Sequence, residues 1–401
     1  FRRGLADHLI IQGPTEHVRS LLDKGTLVVV PTHSSNLDSI LLGYAVYLLG
    51  LPPLLYGAGL NLFSNPLISF FMRNLGAYRV DRKKTAPLYR DVLKEYATVA
   101  AEYGYHQLFF PGGTRSRSGM IEQKLKRGLL GTTVNAYVSN LHHHRPRPNI
   151  YIVPCTLSYK LVLEAETLIG DHLAETGKAR FIIDDDESSR PRRIANFFSD
   201  ALSLDDDIVL TLSRPMDVFG NFVDPDGRSI DPQGRVIDQR TYVTRDGVPF
   251  ADEQRDMQYT NETADRIAER FLVDNVVMTT NVVARSIFNL LRRANASADF
   301  FRLLHTGGEV ASFTMAEVHT ETARLLGEIK NAAVAPRLSK MLQGGDIQTI
   351  VDDALTHFGI YHTKNAAVRR GDRVFHEDRN LLLFYANRLE GYGLPSLRRQ
   401  G

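Results

Sequence analysis

The sequence predicts an α/β domain with a largely parallel sheet, followed by a mainly helical C-terminal domain. Three observations lead there. Short β-branched runs alternate with helical patterns from Thr26 to Leu157, as strand–helix–strand units require. Pieces punctuated by Asp226-Gly, Gln233-Gly and Asp246-Gly fill Asn221 to Asp252 and read as a hairpin excursion. From Glu253 the apolar periodicity turns helical. On this texture residues 1–220 form the α/β domain, 221–252 a hairpin-like insertion or linker, and 253–401 the helical domain.

Composition narrows the class. A chain of 401 residues with 43% apolar and 23% charged positions is globular. Its single cysteine, Cys155, excludes an internal disulfide and follows an apolar run, so it reads as a buried core thiol in a reducing compartment. The chain begins at Phe1 rather than Met and is expected to be a fragment; no signal peptide is visible. A net charge of +2 conceals an asymmetry: 18 Lys and Arg face 9 Asp and Glu through Leu157, and 30 face 37 beyond it. The basic half suits phosphate-bearing ligands, an acidic protein or an anionic membrane surface. Nucleic acid is disfavoured, because the basic residues do not interleave with aromatics.

Residues 1–24 read as a helical lead-in. Leu27 to Val30 then form a buried parallel strand closed by Pro31, and Ser34, Ser35 and Asn36 are expected to cap a helix from Leu37 to Leu49. This places His33 on the loop at the carboxyl end of a strand and Asp38 in the first helical turn, the edge at which open α/β sheets do their chemistry. Ser39 to Met72 holds no charge, yet prolines at 52, 53 and 66 leave no segment of the roughly 20 residues needed to span a bilayer. The expectation is a buried or interfacial hairpin, with a strand near Leu54 to Tyr56 and a helix near Pro66 to Leu75. An ordinary core and a membrane or acyl-chain contact both remain open for it.

The stretch 76–82 is a strand ending in charge. Pro87 opens an amphipathic helix to Tyr103 whose apolar face carries Leu88, Val92, Tyr96, Val99 and Ala100. His106 to Phe110 is a strand delivering a loop whose glycines let the backbone approach a ligand and whose Arg115 and Arg117 offer forked donors to phosphate. It lacks the Gly-Lys-Ser/Thr ending of a Walker loop. A helix from Leu129 to His143 ends in three consecutive histidines, which cannot share one face and read as a solvated helix end. Asn149 to Pro154 is a core strand closed by proline. Acidic runs at 184–187 and 205–207 flank a helix over 194–202 and read as solvated caps, before a strand at Ile208 to Leu212. The helical patterns that follow are Ile267 to Leu291, Met315 to Leu326, Ile347 to Phe358 and Leu381 to Leu389, with a β element near Val374. No catalytic site is expected among them.

A histidine five residues before an aspartate is weak evidence by itself. Here it is followed in order by Gly76-Ala-Tyr-Arg-Val-Asp-Arg82, Phe110-Pro-Gly-Gly-Thr-Arg-Ser-Arg117 and Ile150-Tyr-Ile-Val-Pro154. These four blocks resemble those of the glycerolipid acyltransferases. The likeness is greatest to the bacterial membrane-bound glycerol-3-phosphate acyltransferases, through His33-Ser-Ser-Asn-Leu-Asp38, Lys126-Arg-Gly-Leu-Leu-Gly131 and Leu383-Phe-Tyr-Ala-Asn-Arg388.

The resemblance implies acyl transfer from acyl-CoA or acyl-carrier protein to the 1-hydroxyl of glycerol 3-phosphate, at a membrane surface on the cytoplasmic face of an inner or plasma membrane. It implies no cofactor beyond the donor and no metal. An alcohol ionises too weakly to attack unaided, so His33 is the expected base and Asp38 its orienter. The helix N-terminus beside His33 could offer amides to the oxyanion. A serine nucleophile lacks the Gly-x-Ser-x-Gly elbow. By resemblance Arg82, Arg115 and Arg117 bind the acceptor phosphate, Gly113, Thr114 and Ser116 shape the loop, and Pro154 matches the fourth block. Two departures stand out: Gly112 occupies the place of the third block's usual Glu, and Arg79 that of an aromatic or aliphatic residue. Gly112 keeps alternatives open: dihydroxyacetone phosphate or lysophosphatidate as acceptor, or an inactive acyltransferase-like membrane-binding protein. A metal-dependent phosphohydrolase would need further ligands at metal spacing, which the sequence does not show.

Overall fold

The computed structural model describes residues 8–63, 69–70, 74, 76–81, 83–84, 86–175, 208–306, 311–360 and 362–397. The first element is not helical: Leu9–Gln12 is a strand, β1, and a short helix α1 follows at Thr15–Ser20. Then come β2 at Gly25–Pro31, α2 at Asp38–Leu48, β3 at Tyr56–Gly59 and β4 at Ala77–Val80. Helix α3 spans Pro87–Glu102, β5 Gln107–Leu108, α4 Gly128–His142, β6 Asn149–Ser158, α5 Ala165–Glu175 and β7 Ile208–Leu212. The helix expected near 66–75 and both acidic runs with the helix between them fall largely or wholly outside the described residues.

The sheet order is β1-β7-β6-β2-β5, parallel except where β6 meets β7. Every residue of β2 is buried, which is why its sequence is an unbroken apolar run rather than an alternating one. Pro154 does not close β6. The strand runs on to Ser158, pairing Val30 with Pro154 and Pro31 with Cys155. On the other side Cys155 pairs with Leu212 while Ile152 bridges to Met216, so one extra residue is accommodated opposite Pro154. A bulge of this kind is where a sheet tolerates a residue with no N–H to donate.

Of the expected apolar face of α3 only Ala100 is buried; its four large residues are exposed. Ala97, Thr98, Ala100 and Ala101 are buried, whereas Leu88 is 76% exposed and Val92, Tyr96 and Val99 are exposed with it. The small side chains let the helix lie close on its neighbour α4, and the large apolar ones face outward.

Beyond β7 three short antiparallel strands, Phe222–Val223, Ser229–Ile230 and Val236–Ile237, form the hairpin excursion. The long pattern from Ile267 is two helices, α6 at Glu253–Asp274 and α7 at Thr279–Ala294, broken by a two-residue strand at Val276–Val277. Helices α8 at Met315–Lys330, α9 at Ile347–Phe358 and α10 at Arg379–Ala386 follow. Strands at Ser312–Thr314, Val368–Arg370 and Arg373–Phe375 pair into a small antiparallel sheet around Val374. One apolar core takes in side chains from both the parallel sheet and these helices, and α10 packs against both α7 and α5.

Candidate active site

The site is built where β2 stops. Thr32 is still tied to the sheet, its N–H donating to the Cys155 carbonyl at 2.9 Å and its hydroxyl oxygen accepting the Leu157 N–H at 3.0 Å. His33 is the first residue clear of the ladder. Its Nδ1 lies 2.8 Å from Asp38 Oδ2, and that oxygen also accepts the N–H groups of Ser34 at 2.7 Å and Ser35 at 3.0 Å. The Tyr159 hydroxyl donates to Oδ1. Asp38 is fully buried and the His33 side chain 12% exposed; a buried carboxyl group needs hydrogen-bond partners in place of water, and four are aimed at it here.

This arrangement corrects two expectations. Ser34, Ser35 and Asn36 do not cap α2 as N-cap residues: Leu37 holds that position without a side-chain cap, and Ser35 Oγ accepts the Leu37 N–H at 3.2 Å from outside it. Nor are the amides beside His33 available to an oxyanion. Those of Ser34 and Ser35 serve Asp38, that of Asn36 donates to Glu164 at 3.0 Å, and that of Leu37 to Ser35.

The third block grips His33 from the other side. The imidazole stacks on the Phe110 ring at 4.0 Å between centroids. The His33 carbonyl accepts the Ser116 N–H at 2.7 Å, and the His33 N–H donates to Glu122 Oε1 at 2.8 Å. Gly113 adopts φ +75°, a conformation that favours glycine, and a Cβ there would also push aside the flexible end of Lys126, 2.5 Å away at Nζ. Thr114 is exposed. Arg115 stands 3.7 Å from Glu164, which also accepts the Ser35 hydroxyl at 2.8 Å; Arg117 pairs with Glu175. Burial pushes the carboxyls of Glu122 and Glu164 above their ordinary range.

The structure thus brings His33, Asp38 and the loop Gly113, Thr114, Arg115, Ser116 and Arg117 into one place. Arg82 lies outside the described residues. Pro154 is buried inside β6, and the same strand leads five residues on to Tyr159. Sequence reasoning missed Tyr159, Glu122, Glu164 and Arg388. Arg388, just beyond α10, is buried and donates to Asn275 Oδ1 at 2.8 Å, the Leu157 carbonyl at 2.8 Å and Ser34 Oγ at 3.4 Å. Its neighbour Asn387 donates to the Ser118 carbonyl at 2.8 Å. The helical part therefore completes the loop that holds the histidine, contrary to its expected role as plain packing.

Two grooves lie near these blocks. One of about 230 Å³ runs along α2, lined by Leu42, Val46, Tyr47, Leu51, Leu54 and Leu108 among others. The second, about 720 Å³, is lined by Phe110 and Gly113 together with Arg90, Lys94 and Lys126. An apolar slot that begins at Ser39, next to Asp38, and a groove carrying Arg90, Lys94 and Lys126 beside Asp91 at the edge of the third block suit a reaction between an aliphatic carbonyl compound and an anionic partner.

Residues 12–158, the segment that holds this loop and both grooves' blocks, match the family model described as Acyltransferase, so the resemblance to the glycerolipid acyltransferases stands on a matched segment. Within that class the likeness is to glycerol-3-phosphate acyltransferases. Over 170 residues the chain is 32% identical to the "Glycerol-3-phosphate acyltransferase" of Pseudomonas syringae pv. tomato, covering 42% of this chain and 20% of that one. Over 154 residues it is 38% identical to the protein of the same description from Aeromonas hydrophila subsp. hydrophila, covering 38% and 18%. The chain spans about a fifth of the length of these curated relatives. The crystal structure of the 1-acyl-sn-glycerophosphate (LPA) acyltransferase PlsC from Thermotoga maritima aligns over 66% of this chain and 73% of that one, at 17% identity and a TM-score of 0.32, too low to carry an argument about fold.

Proposed function

We propose that the chain is an O-acyltransferase that moves a fatty acyl group from a thioester, acyl-CoA or acyl-carrier protein, to the 1-hydroxyl of glycerol 3-phosphate in phospholipid biosynthesis. The observation that carries this reading is the His33–Asp38 pair, held by Ser34, Ser35, Tyr159, Phe110, Ser116 and Glu122, with the pair itself inside the segment matching the acyltransferase family. With Nδ1–H committed to Asp38, Nε2 is the nitrogen left to take the hydroxyl proton. The alkoxide oxygen attacks the thioester carbonyl, the tetrahedral intermediate collapses, and the thiolate leaves as His33 returns the proton to sulfur. Asp38 keeps the tautomer and steadies the imidazolium between the two steps. No acyl-enzyme and no cofactor is required.

Arg115 and Arg117, on the loop that follows Gly113 at the edge of the second groove, are the proposed seat of the acceptor phosphate, with Arg82 joining by family resemblance. Because Arg115 and Arg117 already face Glu164 and Glu175, the phosphate must displace or share those partners. The apolar groove along α2 is the proposed acyl-chain seat. Among the described residues no helix is long and apolar enough to cross a membrane; the exposed Ile40, Tyr47, Leu48, Leu60 and Phe70, with the outward face of α3, support peripheral attachment at the cytoplasmic face. The test is thioester consumption on adding glycerol 3-phosphate, run beside dihydroxyacetone phosphate and lysophosphatidate. Turnover that His33→Ala abolishes supports the reading; turnover unchanged in that variant ends it. No consumption with any acceptor, alongside retained liposome binding, would instead establish an inactive acyltransferase-like protein.

A further inference from the structure

The third block folds back on itself. The Lys126 N–H donates to the Pro111 carbonyl at 2.8 Å, and Ser116 Oγ donates to the Met120 carbonyl at 2.6 Å. Gly119 turns the chain at φ +79°, and Ile121 and Leu125 of the returning segment are buried. The loop so closed lays residue 122 beside residue 112. Glu122 there is half-buried with its carboxyl tip enclosed, one carboxylate oxygen holding the His33 N–H and the other, Oε2, lacking a hydrogen-bond partner among the described residues. A Cβ built on Gly112 would stand 3.2 Å from Glu122 Cγ and 3.3 Å from Oε1. A side chain at 112 would therefore press on the present Glu122, which must give by a few tenths of an ångström to admit it. Gly112 does not adopt a positive φ, so its backbone would accept another residue once Glu122 gives way.

We propose that Glu122 is the positioning residue that replaces, from ten residues downstream, the carboxylate missing at Gly112, and that it acts by fixing the main chain of His33. The proposal rests on the acyl-transfer reading for its kinetics but not for its geometry. An unpaired buried carboxyl oxygen is costly, and a site retains such a group where position matters more than stability. Relocation follows as a consequence: a carboxylate restored at 112 should do the same work once Glu122 is gone.

The test compares Glu122→Ala, Gly112→Glu, the double variant, and Glu122→Gln, which keeps the acceptor oxygen. Each is checked for fold by circular dichroism and melting. Glu122→Ala should lower kcat roughly 10²-fold, as for a misplaced catalytic group, with KM for glycerol 3-phosphate little changed; Glu122→Gln should lose far less. Gly112→Glu alone should also fall, and the double variant should recover at least about tenfold over Glu122→Ala, a non-additivity expected only of groups sharing one place. A folded double variant no better than Glu122→Ala would overturn the proposal, as would a change confined to KM. If the wild type consumes no thioester, the acyl-transfer reading falls separately. The His33 imidazole nitrogen signals, assigned by their loss in His33→Ala, then decide: movement in Glu122→Ala with return in the double variant supports relocation, and unmoved signals refute it.

Discussion

Asp38→Asn isolates what the carboxylate does from what its shape does. In the structure Oδ2 accepts three donors, from His33 and the Ser34 and Ser35 amides, and Oδ1 accepts the Tyr159 hydroxyl. An asparagine of the same shape can leave its oxygen toward the three N–H groups and turn its NH₂ to Tyr159, whose hydroxyl rotates to accept. Loop geometry should then survive at a cost of about 1–3 kcal/mol. The charge that holds the imidazolium is gone, however, and replacing a carboxylate behind a histidine base costs about 10⁴ in kcat, or roughly 5 kcal/mol of barrier. Steady-state thioester release with saturating glycerol 3-phosphate measures the loss, and a thermal melt measures the fold. A folded Asp38→Asn that keeps kcat within about threefold of wild type, well under 1 kcal/mol, would refute the role of orienter.

Four further outcomes follow. Arg115→Ala should raise KM for glycerol 3-phosphate by about tenfold with kcat less affected, the pattern for lost uniform binding; an unchanged KM removes Arg115 from the phosphate seat. Arg388→Ala deletes three buried hydrogen bonds and should cost roughly 3 kcal/mol or more in urea unfolding, so a loss under 1 kcal/mol would show that the tail does not brace the loop. Burial raises the Glu164 carboxyl above its ordinary 4.5, so the native state binds its proton more tightly than the unfolded chain. The stability this gives is complete below about 4.5 and is lost as pH rises through the folded value. The melting temperature of Glu164→Gln relative to wild type should therefore rise across that window, and a difference independent of pH would contradict the assignment. The double substitution Leu88→Asp and Val92→Asp should reduce flotation with anionic vesicles while shifting stability by about 0.5 kcal/mol or less per site; undiminished flotation would place the lipid contact elsewhere.

The strands and the His33 loop were legible because their causes are local. Leu27 to Val30 is apolar at every position, as a strand buried on both faces must be, and His33 lies just past its end. The orientation of α3 was not legible: periodicity reveals that Leu88, Val92, Tyr96 and Val99 share a face, but not whether protein covers it. The small residues Ala97, Ala100 and Ala101, spaced to let helices approach closely, were the overlooked signal. Pro154 misled because the bulge that admits it depends on a partner strand some sixty residues away. Glu122 was foreshadowed only by the carboxylate missing at Gly112. Arg388 entered only as the end of the Leu383–Arg388 likeness, without a sign of its role, since its partners belong to β6, to the loop after β2 and to Asn275 just after α6.

The reach of Arg388 also bears on when the molecule becomes competent. Ser34 and Arg388 are separated by 354 positions, so at about 5–20 residues per second a translating ribosome delivers the arginine roughly 20 to 70 s after the serine. Throughout that interval the parallel strands can form, yet the Leu157 carbonyl and the Ser34 hydroxyl have no guanidinium to meet. A nascent chain would hold His33 in a loop that is not yet braced, and the bracing would be complete only when the segment carrying Arg388 docks.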